Sequence, residues 1–215
     1  MNVEGDMIKQ SSRIGRPSRG EILNRRKNVL IVTKSIFIDD GYESITIENV
    51  SERSGISKKS IYSWFKNKSG LMEEVITDIA NNSYAMLLKG VSTNSDNIED
   101  ELYHIGISML DSFYSKEAMS VSRFIFRESH KYPEFMNHIE SFASRYIYGM
   151  LTDIFERNTE SIIDLDARAL ARRFINLLTG DLSFIIVHGL DIPDLTEREA
   201  QAREVSRLFV HGILK

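Results

Sequence analysis

The chain contains no cysteine. That single absence removes disulfides, iron–sulfur clusters, thiolate zinc sites and a cysteine nucleophile together. Proline is nearly absent as well: only Pro17, Pro133 and Pro193 interrupt the 215 residues, and so few helix breakers favour an all-α chain. Hairpin signals are poor, since Asp40-Gly41 follows a helical run and reads as a helix end. There is no apolar signal core at the N-terminus, and no stretch approaches the roughly 18 uninterrupted apolar residues of a membrane span. Catalytic patterns are missing too. The five histidines (104, 130, 138, 188 and 211) form no His-Glu-x-x-His, and there is neither a Gly-x-Ser-x-Gly nor a phosphate-binding loop. The expectation is therefore a soluble, cytoplasmic protein of one or two domains that is no enzyme and needs neither metal nor cofactor.

What is present is an uneven charge. The formal net charge of −4 excludes a uniformly basic coat for nucleic acid or anionic membrane. Residues 1–78, however, hold 13 basic and 11 acidic side chains, which leaves a net −6 for the remainder. Eight basic residues fall within 9–34 against Glu21 alone, and residues 57–68 add Lys58, Lys59, Lys66 and Lys68 with no acid. A basic end on an acidic body fits one surface facing a polyanion, or else a solvated tail beside an ordinary helix face.

Hydrophobic periodicity predicts about nine helices. The first spans 21–40 and stops at Gly41, in an expected left-handed conformation. Short helices follow at 47–54 and 58–65, capped by Thr46 and Ser57, and a longer one runs to about 89 with Ser69 as its cap. After a polar break at 91–97, longer helices are expected at 98–114, 117–129, 133–157 and 166–189. The last opens at Thr196-Glu197-Arg198-Glu199, read as a capping box.

Residues 46–65 carry the chemistry. Two short helices joined by a glycine-containing turn read as a helix-turn-helix. Val50, Ile56, Ile61 and Phe65 are placed to bury one side, leaving Lys58, Lys59, Ser60, Tyr62 and Ser63 outside. Lysine donates to guanine edges, hydroxyls pair with several bases, and a helix N-terminus favours phosphate. A generic three-helix packing unit is the alternative from spacing alone.

Gly41-Tyr42, Thr46, Val50, Gly55-Ile56-Ser57, Ile61-Tyr62, Phe65, Lys68 and Leu71 together resemble the DNA-binding domain of TetR/AcrR-family bacterial transcriptional regulators over roughly residues 20–75. Tyr132-Pro133-Glu134-Phe135 and Leu178-Thr179-Gly180-Asp181-Leu182 resemble segments of the C-terminal domains of some members. The resemblance implies a nine-helix homodimer whose third helix enters the major groove and whose C-terminal domain holds a small-molecule inducer. It implies a flexible basic arm at 1–19, a DNA-binding domain at 20–80 and a ligand-binding and dimerisation domain at 81–215. By position, Lys58, Lys59 and Ser60 become base-contact candidates, and Thr46, Ser57, Tyr62, Trp64 and Lys68 phosphate-contact candidates. Position 64 is often histidine in the family; here a tryptophan either donates its indole N–H to phosphate or simply packs. In the arm, Gly15-Arg16-Pro17 is the centre of an AT-hook without its leading arginine, so Arg16 either enters a minor groove or belongs to a solubilising tail.

The body is rich in aromatic and methionine residues, which serve either as core or as adaptable pocket walls. Tyr103, His104, Phe124, Arg127, Phe142 and Tyr146 are its ligand candidates. Phe174, Leu178, Leu182 and Ile185, with Val205 and Phe209 further on, lie on apolar stripes that a two-chain four-helix bundle would bury. The function expected is that of a homodimeric repressor released from a palindromic operator by a small molecule. An architectural or activating DNA-binder without a ligand is the alternative.

Overall fold

A computed structural model describes residues 18–90, 97–128 and 130–214. Among these residues there is no strand, only a single β-bridge between Ile162 and Leu214. The fold is all-α. No described helix is long and apolar enough to cross a membrane.

The N-terminal unit begins with α1 (Arg19–Asp40), opened by a capping box in which Ser18 and Glu21 satisfy each other's backbone N–H groups. A 3₁₀ turn (Tyr42–Ser44) leads into α2 (Ile47–Ser54), α3 (Lys58–Phe65) and the long α4 (Lys68–Gly90). Gly41 does end α1, but at φ 84° and ψ 173° it lies in an extended region open mainly to glycine, not in the left-handed helical well expected. The cap of α4 is also not Ser69. Asn67 Oδ1 accepts from Gly70 N at 2.8 Å and does that work two residues earlier.

The body contains α5 (Ile98–Phe113), α6 (Lys116–Glu128), α7 (Pro133–Phe142), α8 (Gly149–Arg157), α9 (Ala167–Leu178), α10 (Leu182–His188) and α11 (Leu195–Ile213). Helices α7 and α8 are one rod, as periodicity predicts, but a π-helical stretch at Ala143–Tyr148 joins them. The single helix expected at 166–189 is two. Thr179 bonds its hydroxyl back to Ile175 O at 2.8 Å, and Thr-Gly-Asp is a run of weak helix formers, so the rod breaks there. The capping box of α11 is formed by Asp194 and Glu197, two residues before the one expected.

Two cores result. In the first, Val29, Ile36 and Phe37 of α1 meet Val50, Ile61 and Phe65 of the short helices and Leu71, Met72 and Val75 of α4. Each such side chain, fully buried, contributes about 1.5–3 kcal/mol. In the second, α5 lies against α4 and α11, and α8 against α9, around Leu102, Met109, Phe155, Phe174 and Phe209. Helix α4 runs through the expected boundary at 80/81 without a break. Its Ile79 belongs to the first core and its Leu87 to the second. The first core is also completed from outside: Phe124 of α6 and Phe135 of α7 are buried in it.

Candidate nucleic-acid interface

The short helices are fixed by local hydrogen bonds that leave the outer face of α3 clear. Asn49 N donates to Thr46 Oγ1 at 3.1 Å, while the Asn49 side chain donates to Ser44 O at 2.9 Å. Thr46 therefore caps α2 as predicted. Gly55 ends α2 in the left-handed region at φ 69° and ψ 14°, where a side chain would be strained. The turn is locked by Ser51 Oγ donating to Ile56 O at 2.7 Å and by Ile56 N donating to Ser54 Oγ at 3.3 Å. Ser57 then caps α3, accepting from Ser60 N at 3.3 Å, with the two hydroxyls 3.0 Å apart.

On α3, Ile61 and Phe65 point into the core, while Lys58, Lys59, Tyr62 and Ser63 are exposed and Ser60 and Trp64 are half-buried. Val50 is buried as expected and Ile56 only half so. Helix α1 braces the pair from behind. Asn28 Nδ2 donates to Ser54 O at 3.1 Å. Arg26 spreads its guanidinium 4.7 Å above the Phe65 ring and bonds the Glu74 carboxylate at 2.5 and 2.6 Å. Beyond α3, Lys66 takes φ 65° and the chain turns so tightly that a Cβ on Gly70 would lie 2.4 Å from Phe65 O. Glycine is required there by close approach of the backbone itself.

Two of the candidate cations are engaged within the protein. Lys58 Nζ bonds Glu48 Oε1 at 2.6 Å on the exposed surface, and this bond holds the Glu48 carboxyl below its ordinary pKa. Lys68 Nζ sits 3.9 Å from the Tyr42 ring centroid and 4.0 Å from a Glu43 carboxylate oxygen. Its partial burial lowers its pKa, and the Glu43 charge opposes that shift. Lys59 makes no ion pair among the described residues. It lines an open cleft of about 490 Å³ with Ser57, Ser60, Ser63 and Trp64 of the α3 segment and Ile22 and Arg25 of α1. Trp64 stands edge-on to Phe65 at 6.3 Å while forming part of that wall. Arg25 enters the candidate interface only through the packing of α1. In the sequence it is one more charge in a basic run. Arg16 lies outside the described residues.

A capped two-helix unit with a left-handed glycine turn and a basic outer helix, braced by α1, is the geometry of a DNA-reading module. The family model for bacterial regulatory proteins of the tetR family matches residues 30–75, which covers that unit. Residues 30–75 carry the DNA-binding segment of the tetR family. The chain is a DNA-binding transcriptional regulator. The similarity to TetR-family proteins extends well beyond the matched segment. The HTH-type regulator YvkB of Bacillus subtilis is 24% identical over 192 residues, covering 87% of this chain and 96% of that one. QacR of Staphylococcus aureus is 23% identical over 196 residues, covering 90% and 100%. Among solved structures, a TetR-family regulator of Mesorhizobium loti superposes with a TM-score of 0.77 at 16% identity, covering 93% of this chain and all of that one. The flavonoid-responsive regulator FrrA does so with a TM-score of 0.70 at 17% identity, covering 89% and 97%.

The six ligand candidates do not form one site. Tyr103 and His104 lie on α5, where the Arg203 guanidinium of α11 covers the Tyr103 ring at 4.2 Å. Phe124 and Arg127 line a cleft of about 320 Å³ between α6 and the end of α1. Phe142 and Tyr146 meet with tilted rings at 4.8 Å beside Tyr84. The reading from the sequence grouped them by residue type, and three-dimensional packing separates them.

The six dimer candidates require a similar correction. Phe174, Leu178, Ile185, Val205 and Phe209 are buried inside the protomer and Leu182 is half-buried. An apolar stripe points to the strongest burial available, and here that is the chain's own core. The side chains left outside are others: Leu177 on α9, Phe184 and Val187 on α10, and Leu208 on α11 are all exposed.

Proposed function

We propose that the protein is a homodimeric repressor that binds a near-palindromic operator and is released by a small molecule held in its helical body. Lys58, Lys59 and Ser60 then read base edges from α3. Thr46, Ser57, Tyr62, Trp64 and Lys68 hold the flanking phosphates. The observation that carries the regulatory part is the shared core. Phe124 and Phe135 are buried in one core with Phe37, Tyr42 and Ile61, so the DNA-reading unit packs directly on α6 and α7. A ligand that favours one arrangement of the body thereby favours one placement of α3, provided it binds that arrangement more tightly.

The exposed apolar residues of α9, α10 and α11 are the proposed dimer surface, with a second copy of the chain as occupant. Dimerisation must set two α3 helices about 34–36 Å apart to enter successive major grooves. The test is a footprint on DNA selected by the protein from a random pool, combined with sedimentation of the complex. Two-fold protection with half-sites one helical turn apart, and two chains per duplex, is expected. Protection without two-fold symmetry, or a monomer on DNA, refutes the proposal.

A further inference from the structure

Glu43 stands between a tyrosine of the body and a lysine of the DNA-reading unit. Its Oε1 accepts from the hydroxyl of Tyr132, just before α7, at 3.4 Å. Its Oε2 lies 4.0 Å from Nζ of Lys68, the first residue of α4. Both contacts are long, whereas the other ion pairs among the described residues close to 2.9 Å or less. The carboxylate is therefore committed to neither partner, and at 72% exposed it is not wedged in place by packing. Lys68 is seated differently. Its ammonium rests 3.9 Å from the Tyr42 ring centroid, and that ring meets Tyr132 at 4.8 Å and Phe124 at 4.9 Å. Lys131, beside Tyr132 in the chain, is engaged by Glu128 at 2.7 Å.

We propose that Glu43 is a switch on the DNA grip of Lys68, and that Tyr132 is the positioning residue that sets it. When the Tyr132 hydroxyl closes on Oε1, Glu43 is drawn off the lysine, and the ammonium is left on its ring for a phosphate oxygen. When α7 carries Tyr132 away, the carboxylate closes on Lys68 and competes with phosphate for the same charge. The inference rests on the reading of Lys68 as a phosphate contact, and it names the body residue that regulates that contact. Chemistry sets the direction. The tyrosine hydroxyl donates to the carboxylate without adding charge, whereas Glu43 and phosphate are rival anions for one cation. The seat on Tyr42 is uncharged and holds the ammonium in either state. Exposure sets the size, since a pair open to solvent exchanges with phosphate at modest cost.

Tyr132→Phe keeps the half-buried ring and removes only the hydroxyl. In the full chain without DNA, Glu43 should then close on Lys68 and raise the lysine pKa, read by NMR of carbon-13-labelled lysine side chains. Glu43→Gln should lower it, because the Glu43 charge is what opposes the downward effect of burial. On duplex DNA, Tyr132→Phe should weaken binding by about two- to fivefold, the worth of an exposed ion pair, and equally on selected and random sequence. That loss should vanish when Tyr132→Phe is made in a Glu43→Gln or a Lys68→Ala background. A merely structural tyrosine would show the same loss in all three. An unchanged Lys68 pKa in Tyr132→Phe, full DNA binding by that variant where Lys68→Ala binds more weakly, or an equal loss in all three backgrounds overturns the proposal. A raised Lys68 pKa, with DNA binding unaltered by either Tyr132→Phe or Lys68→Ala, leaves the carboxylate exchange standing and refutes Lys68 as a phosphate contact.

Discussion

Replacing Phe135 by alanine tests the shared core directly. Phe135 lies some seventy positions beyond α3 in the chain, yet it is 1% exposed among the side chains of the DNA-reading unit. Its ring stands 5.9 Å from Tyr42, 5.7 Å from Phe124 and 6.0 Å from Tyr132. Removing a buried phenylalanine costs about 3–5 kcal/mol from lost transfer energy and the cavity left behind. The three ring contacts place this site toward the upper end, since each aromatic pair adds about 0.5–1.5 kcal/mol beyond area alone. A protein of ordinary stability has about 5–15 kcal/mol in total. With a urea dependence near 2.5 kcal/mol per molar, the unfolding midpoint should fall by about 2 M at fixed protein concentration. Hydrogen exchange locates the damage. Amides of α1, α2 and α3 should lose protection by roughly two to three powers of ten, and DNA affinity should fall with them. Phe209→Ala, which removes a ring packed on Phe155 and Phe174, should loosen α5 and α11 first. If Phe135→Ala leaves the amides of α1–α3 as protected as in the parent and loosens only the body, the shared core is not what couples the two units.

Further outcomes follow from single contacts. Gly70→Ala puts a Cβ against Phe65 O, so the α3–α4 junction must shift; a loss of about 1–3 kcal/mol in urea unfolding, together with weaker DNA binding, is expected. Lys59→Ala should relax sequence preference in selection from a random pool by about 1–3 kcal/mol at one position, whereas Lys68→Ala should weaken all DNA alike and lower the salt slope by about 0.9. Phe184→Glu should convert the free protein to a monomer in sedimentation, with circular dichroism unchanged, because Phe184 is exposed in the protomer. Acid should release the clamp between α1 and α6, where Lys116 Nζ bonds Asp39 Oδ1 at 2.8 Å and lowers the Asp39 pKa. For a carboxylate lowered in the folded state, the contribution is complete above the ordinary carboxylate range and is lost as pH falls through the lowered value. Asp39→Asn should flatten that part of the stability profile.

The helix-turn-helix was legible because its signals are local. Thr46 and Ser57 cap, Gly55 turns, and Ile61 and Phe65 recur at helical spacing, so neighbouring residues fix each feature. Where several local signals competed, the choice slipped by two residues: Asn67 outranks Ser69 at α4, and Asp194 outranks Thr196 at α11. The break at Gly180 was written in Thr-Gly-Asp but was outweighed by the apolar stripe on either side. The ligand candidates lie apart for a different reason. Residue type says that Tyr103, Phe124 and Phe142 are pocket-forming, but only packing decides which of them share a wall. Arg25 was invisible for the same reason, since it is an arginine in a basic run.

The exposed pair of Lys58 and Glu48 has a consequence for how the protein finds its site. The pair is worth about 1 kcal/mol or less, so Lys58 exchanges Glu48 for DNA at little cost. If Lys58 reads a base as proposed, random sequence offers it no matching edge in return, and the lysine would stay with its carboxylate. Lys58 then displaces fewer counterions from the duplex than its charge implies, and the grip on irrelevant DNA is correspondingly looser. Under the proposed reading, scanning would proceed with Lys58 sheathed, and the exchange would be made only where a guanine edge lies in the groove.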